Sequence, residues 1–174
     1  MRALTVIALL VVAIAFGLAL AHALELPGKL RLAEPEYMVV QNIYYPGFTI
    51  GGIVSEPGGL AVLGLILALT KFGTSRFWWT AAAFMFLASM HATFWLVTHH
   101  VNSAWVSGVA MSGPAKSFFE IFGTDIGGDW RALRNTWEIS HVARAILAAA
   151  SLVSLAYAAT LFERDARPPS AANS

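Results

Sequence analysis

Four stretches of this chain are too apolar to leave in water and close to the ~20 residues that a helix needs to cross a bilayer. They cover residues 4–26, 48–70, 77–97 and 139–162. Lipid offers no partner to a backbone N–H or C=O, so such stretches must close their own hydrogen bonds as helices. With 57% hydrophobic and 12% charged residues in a chain of 174, no soluble fold of this size has an interior that could hide them. The expected fold is all-α: a single integral membrane domain, an up-down-up-down four-helix bundle in contact with the lipid bilayer.

The first run opens on Met1-Arg2 and offers Ala19, Ala21 and Ala23 as small residues of the kind that flank a signal cleavage site. Its length exceeds the ~7–15 apolar residues of a signal peptide, so a retained helix, stopped by Pro27-Gly28, is expected. The second run is uneven. Its clean part, 58–69, is too short to span and must recruit 48–57, which carries Glu56, Pro57 and several glycines. Two readings stand side by side: a short helix starting at Pro57 with Glu56 as its cap, or a full helix packed closely through Gly47 and Gly51. Long loops are expected at 27–47 and 98–136, a tight turn at 71–76, and a polar tail at 167–174. Arg2, Lys71, Arg76, Arg164 and Arg167 then fall on one side, and Lys29, Arg31, Lys116, Arg131 and Arg134 on the other. Short loops and tails weigh most in the positive-inside rule, so both termini are expected in the cytoplasm, in a bacterial inner membrane.

The net charge of +1 leaves no footprint for nucleic acid. Without cysteine there is no disulfide, thiolate metal site, Cys nucleophile or c-type haem attachment. No Walker loop, G-x-G-x-x-G, G-x-S-x-G or H-E-x-x-H occurs.

Polar residues gather where the first and third helices end and the second and fourth begin: His22 and Glu25; Glu56; His99, His100 and Asn102; Arg134, Glu138, His141 and Arg144. Ionisable groups at membrane depth are costly and turn to the bundle interior. His22-x-x-Glu25 is mirrored by Glu138-x-x-His141, and on antiparallel helices this levels His22 with His141 and Glu25 with Glu138. Such a mirror resembles the ligand layout of di-metal carboxylate bundles. A metal site would use His22, Glu25, Glu56, Glu138 and His141, with His91 or His99 as a further imidazole; the plain alternative is two Glu–His pairs stapling helices. Arg134 and Arg144 beside them argue against a cation and for an anionic or oxyanion-forming ligand. Trp130, Arg134, Trp137, His141 and Arg144 form one stripe of a continuous helix that Asp129 can cap. His91, Trp95, Thr98 and Asn102 form another, in which His91 reads as an interhelical tie.

The residues Asn102, Asp129, Trp130, Leu133, Arg134, Trp137, Glu138, His141 and Arg144, with the polar end of the first helix from His22 to Pro27, resemble the signature of the anthrone-oxygenase-like family. These are small four-helix integral membrane proteins, many known only as a domain of unknown function. The stretch here reads Thr98-His99-His100-Val101-Asn102, without the family's Pro before the Asn. The resemblance covers the layout of most of the chain, with specific motifs in helix 1 and residues 99–144. It implies a cofactor-independent oxygenase acting with O2 on a planar, lipophilic aromatic or quinone-like ligand. Catalytic candidates are His22, Glu25, Glu138, His141 and Arg144, with His22 or His141 as base and Glu138 orienting the His141 imidazole. Trp137, Trp95, Tyr44, Asn102 and Arg134 are the substrate-binding candidates. No resident metal is expected. The rival readings are a non-catalytic helical subunit or stabiliser of a larger membrane complex, and a metal-dependent oxidase with a transition metal at the His/Glu cluster.

Overall fold

The computed structural model describes residues 1–105, 113–121 and 129–161, and these are helical almost throughout. Four helices are long and apolar enough to cross a membrane. They are α1 (Arg2–Lys29), α3 (Gly47–Leu69), the run that begins as α4 (Ser75–Thr93), and α7 (Trp130–Thr160). The α4 run passes through a π-helical turn at Phe94–Thr98 into α5 (His99–Trp105). Two shorter helices lie in the connections: α2 (Glu34–Tyr44) and α6 (Gly113–Phe119). The expected polar tail 167–174, together with Arg164, lies outside the described residues.

Small residues let the backbones approach. The buried face of α1 runs through Ala8, Val12, Ala15, Ala19 and His22 at steps of four and three. It meets Ala145, Ala148 and Leu155 of α7 in a common core with Leu63, Ile66, Ala83, Leu87 and Met90. Without a hydrophobic drive between lipid-covered helices, such close van der Waals packing is what holds them. A Cβ on Gly59 of α3 would come within 2.7 Å of Leu87, and one on Gly51 within 2.9 Å of Leu18. Leu10, Ile14, Leu65, Met85, Ile146 and Val153 are exposed on the outer faces, as suits side chains whose solvent is lipid.

Several expectations are corrected. The first helix does not stop at Pro27: Pro27 lies inside its last turn, and α1 continues to Lys29. A proline there removes one hydrogen bond of the turn without ending it. Helix α3 starts at Gly47 and runs through Pro57, so Glu56 is an interior residue and not a cap. Close packing occurs at Gly51, whereas Gly47 has nothing near its Cβ position. The long loops are largely helical. In α2, Pro35 sits in the first turn with Glu34 and Glu36, whose charges suit a helix N-terminus. Helix α7 starts nine residues earlier than the apolar run, at Trp130; Asp129 occupies its N-cap but makes no side-chain cap bond. The turn between α3 and α4 is as short as expected, with Gly73 at φ 81° and Thr74 accepting from the Phe77 N–H.

Candidate functional site

A cavity of about 740 Å³ opens where the polar residues converge. Its walls are the late part of α1, the first three turns of α3, the end of α4 with the π turn, Asn102 and Trp105 of α5, and Trp137, His141 and Arg144 of α7. Helix α2 contributes Met38, Gln41, Asn42 and Tyr44, and α6 contributes Phe118 and Phe119. The π turn inserts an extra residue into its helix, a device found often at functional sites. It is tied to α7 by a 2.8 Å hydrogen bond between Thr98 and Ser140.

The deep end is ionic. Arg144 forms a buried ion pair through Nη2 with Oε1 of Glu56. The other Glu56 oxygen lies 3.0 Å from Nδ1 of His91, and the Trp95 indole N–H donates to His91 Nε2 at 2.9 Å. An indole nitrogen can only donate, so His91 Nε2 is the acceptor and its Nδ1–H donates to the carboxylate. His91 is therefore an interhelical tie, from α4 to α3, and also part of the wall. A second branch fixes His141. Its Nδ1 lies 3.0 Å from the Trp137 carbonyl oxygen, which leaves Nε2 to accept from Nη1 of Arg144 at 3.1 Å. Both nitrogens of this neutral tautomer are thus engaged. The Arg144 guanidinium also lies 5.2 Å from the Phe94 ring centroid, in cation–π range.

His22 differs. Its ring packs against Tyr44, Phe48, Trp137 and His141 with centroids 4.4–4.9 Å apart, and its buried Nδ1 has no hydrogen-bond partner. The nearest carboxylate is Glu25, at 3.9 Å. The Trp137 indole donates to Asn102 Oδ1 at 2.8 Å, which orients the amide and leaves its NH2 group to donate elsewhere.

Behind this wall lies a second network. Lys29, only 3% exposed, pairs with Glu25 at 3.2 Å and Glu138 at 3.4 Å, and its Nζ faces the rings of Tyr44 and Trp137 at 4.8 and 4.6 Å. Tyr37 donates to Glu138 at 2.8 Å, and Tyr44 donates to Glu25. Burial first, and then the neighbouring carboxylates, push both phenols far above their ordinary pKa, so both hydroxyls stay protonated donors.

The two halves of the mirrored pattern meet: His22 is beside His141, and Glu25 and Glu138 share Lys29. Of the residues singled out from sequence, His22, His141, Arg144, Trp137, Trp95, Tyr44 and Asn102 line the cavity, together with Glu56. Glu25, Glu138 and Arg134 do not. Glu138 points to Tyr37 and Lys29, so it cannot orient His141; a main-chain carbonyl does that instead. Arg134 packs over Trp130 at 5.1 Å and bonds Asn135. Sequence reasoning missed Lys29 and Tyr37. Lys29 continues the buried heptad face of α1 beyond His22 and stands four residues from Glu25, a spacing that signals an ion pair. Tyr37 needed the recognition of α2, whose acidic, proline-bearing start was legible.

Among the described residues no group of three or more His, Asp and Glu side chains is arranged to hold a metal ion. Each carboxylate that a metal site would use is already paired with a cation, Glu56 with Arg144 and Glu25 and Glu138 with Lys29. No family model, curated protein or solved structure matches the chain.

Proposed function

We propose that this chain is an up-down-up-down integral membrane bundle whose cavity binds a planar, lipophilic aromatic molecule of the anthrone or quinone class and oxidises it with O2. The observation that carries this reading is the cavity itself: a ring-lined space in which a histidine with an unpaired nitrogen, an oriented amide and a buried guanidinium converge. Apolar pockets with a few convergent polar groups are the usual setting of a small-molecule site. In an anthrone, His22 removes a proton from the methylene carbon flanked by the two arene rings, and the Asn102 amide donates to the oxygen that gains charge. The carbanion gives an electron to O2, and the resulting radical and superoxide join as a hydroperoxide. Loss of the remaining C–H proton breaks the O–O bond and releases water, leaving the quinone carbonyl. One O2 is consumed and one water formed, with no further reductant.

The test is direct. Purified protein in lipid nanodiscs should bind 9,10-anthraquinone saturably, read as quenching of tryptophan fluorescence, because Trp95, Trp105 and Trp137 line the cavity. It should also convert anthrone to anthraquinone faster than buffer does. Neither saturable quenching nor acceleration would overturn the reading and favour the structural one. The Lys29 network supports a structural role for its own members, since it ties α1, α2 and α7 outside the cavity.

Orientation follows from charge. Lys29 is neutralised by two carboxylates and Arg134 is buried, which reduces the free basic charge on the α2 side. The positive-inside rule then puts the α3–α4 turn and both termini in the cytoplasm, in a bacterial inner membrane. Single cysteines at Glu36 and Lys71 should label from opposite faces of sealed vesicles; labelling from one face would refute the topology.

A further inference from the structure

The cavity has a polar back and an apolar front. His22, His141, Arg144 and Asn102 stand on the α1, α5 and α7 side. Across from them, Gly52, Ile53 and Pro57 of α3 and Phe94 of the π turn complete the wall. Ile53 lines the cavity and is at the same time 50% exposed on the outer surface of a helix long and apolar enough to span; Pro57, one turn on, is exposed too. A side chain that borders both an interior space and the lipid face marks an opening between them. Local packing agrees. Deeper in the seam between α3 and α4, Gly59 abuts Leu87 and Gly64 approaches Phe84. Above the bridge from Glu56 to His91 the two helices no longer interlock, and both are irregular there, α3 at Pro57 and its neighbour at the π turn. The roof is closed by ring contacts, Tyr45 on Phe119 at 6.1 Å and Phe118 on His99 at 4.5 Å.

We propose that the cavity is loaded sideways from the bilayer through the α3–α4 seam at Ile53, and that its ligand is a planar ring system bearing an apolar tail that stays in this opening. The inference rests on the ligand site proposed above and adds the route and the shape of the ligand. Polar ring edges meet His22, Asn102 and Arg144, while the tail lies between Ile53, Pro57 and Phe94 and continues into lipid. A ligand of this form loses little on binding, because its tail never enters water.

The chain has no cysteine, so Ile53→Cys gives a single reporter thiol, with Leu65→Cys, exposed farther along the same helix, as the control. Both variants are reconstituted in vesicles and treated with lipid-soluble N-cyclohexylmaleimide. The probes are 2-decyl-anthraquinone and unsubstituted anthraquinone at equal mole fraction in the bilayer, with occupancy read separately by tryptophan quenching. The expected result is that the Ile53→Cys thiol reacts readily and that the tailed probe slows it at least fivefold. The tailless probe should slow it much less, and the Leu65→Cys thiol should be unaffected by either. If both probes quench but the tailed one gives the Ile53→Cys thiol no protection, the lateral route and the tail are wrong while the ligand site stands. If neither probe quenches saturably, the ligand site itself falls, and this inference with it.

Discussion

Glu56→Ala should destabilise the protein by about 3–5 kcal/mol, the cost of removing one partner from a buried ion pair. The loss goes beyond one contact. It leaves the Arg144 guanidinium buried without its counter-ion and the His91 Nδ1–H without its acceptor. Thermal or denaturant unfolding in detergent should show it as a lower midpoint. The double variant Glu56→Leu with Arg144→Met should recover most of that loss, because two apolar side chains of similar size remove the desolvation cost along with the attraction. The recovered protein should still fail to bind anthraquinone normally, since Arg144 borders the cavity. A Glu56→Ala protein as stable as the wild type would mean that Arg144 reaches another partner or water, and that the floor of the site is not built as described.

His22→Gln should lower anthrone turnover by about 10²–10⁴-fold, the range that a positioned general base contributes. Of the two histidines that meet at the cavity, His22 is the one with a nitrogen left without a partner; His141 is held at both nitrogens by Trp137 and Arg144. Glutamine keeps a polar group of similar length but cannot take the proton. Anthraquinone quenching should persist within several-fold, since the aromatic walls remain. His141→Gln should act differently, by releasing Arg144, so that binding and turnover weaken together. Comparing kcat with probe affinity for the two variants separates these roles. Normal turnover by folded His22→Gln would remove it as the base.

The layout of the fold was legible because lipid imposes a simple rule: long apolar runs must be helices. The convergence of polar residues followed from counting which helix ends share a side. The mirrored spacing of His22-x-x-Glu25 and Glu138-x-x-His141 located the contact between the two imidazoles. What the spacing could not show is which way each side chain turns once the helix is packed. Glu138 and His141 lie one turn apart, yet face different neighbours, because Tyr37 and Lys29 compete for the carboxylate and the Trp137 carbonyl takes the imidazole N–H. Glu56 was misread for a related reason. Proline usually marks a helix start, but inside α3 the loss of one hydrogen bond is tolerated where the helix borders a cavity rather than packed neighbours. The helical character of the connections was hidden because α2, α5 and α6 are short and amphipathic at best, and take their stability from the rings they cover.

The bridge from His91 through Glu56 to Arg144 spans α4, α3 and α7 at one level, and beneath it Gly59 and Leu87 leave no space between the helices. The chamber is therefore a cul-de-sac and not a thoroughfare. Nothing that enters can continue to the opposite leaflet, so this bundle is unsuited to moving its guest across the membrane. Arrival and departure share one doorway, and each spent molecule must vacate before the next is admitted. A product that resembles its precursor as closely as an anthraquinone resembles an anthrone competes for the same berth, so the catalyst is throttled by its own output unless the surrounding lipid carries that output away.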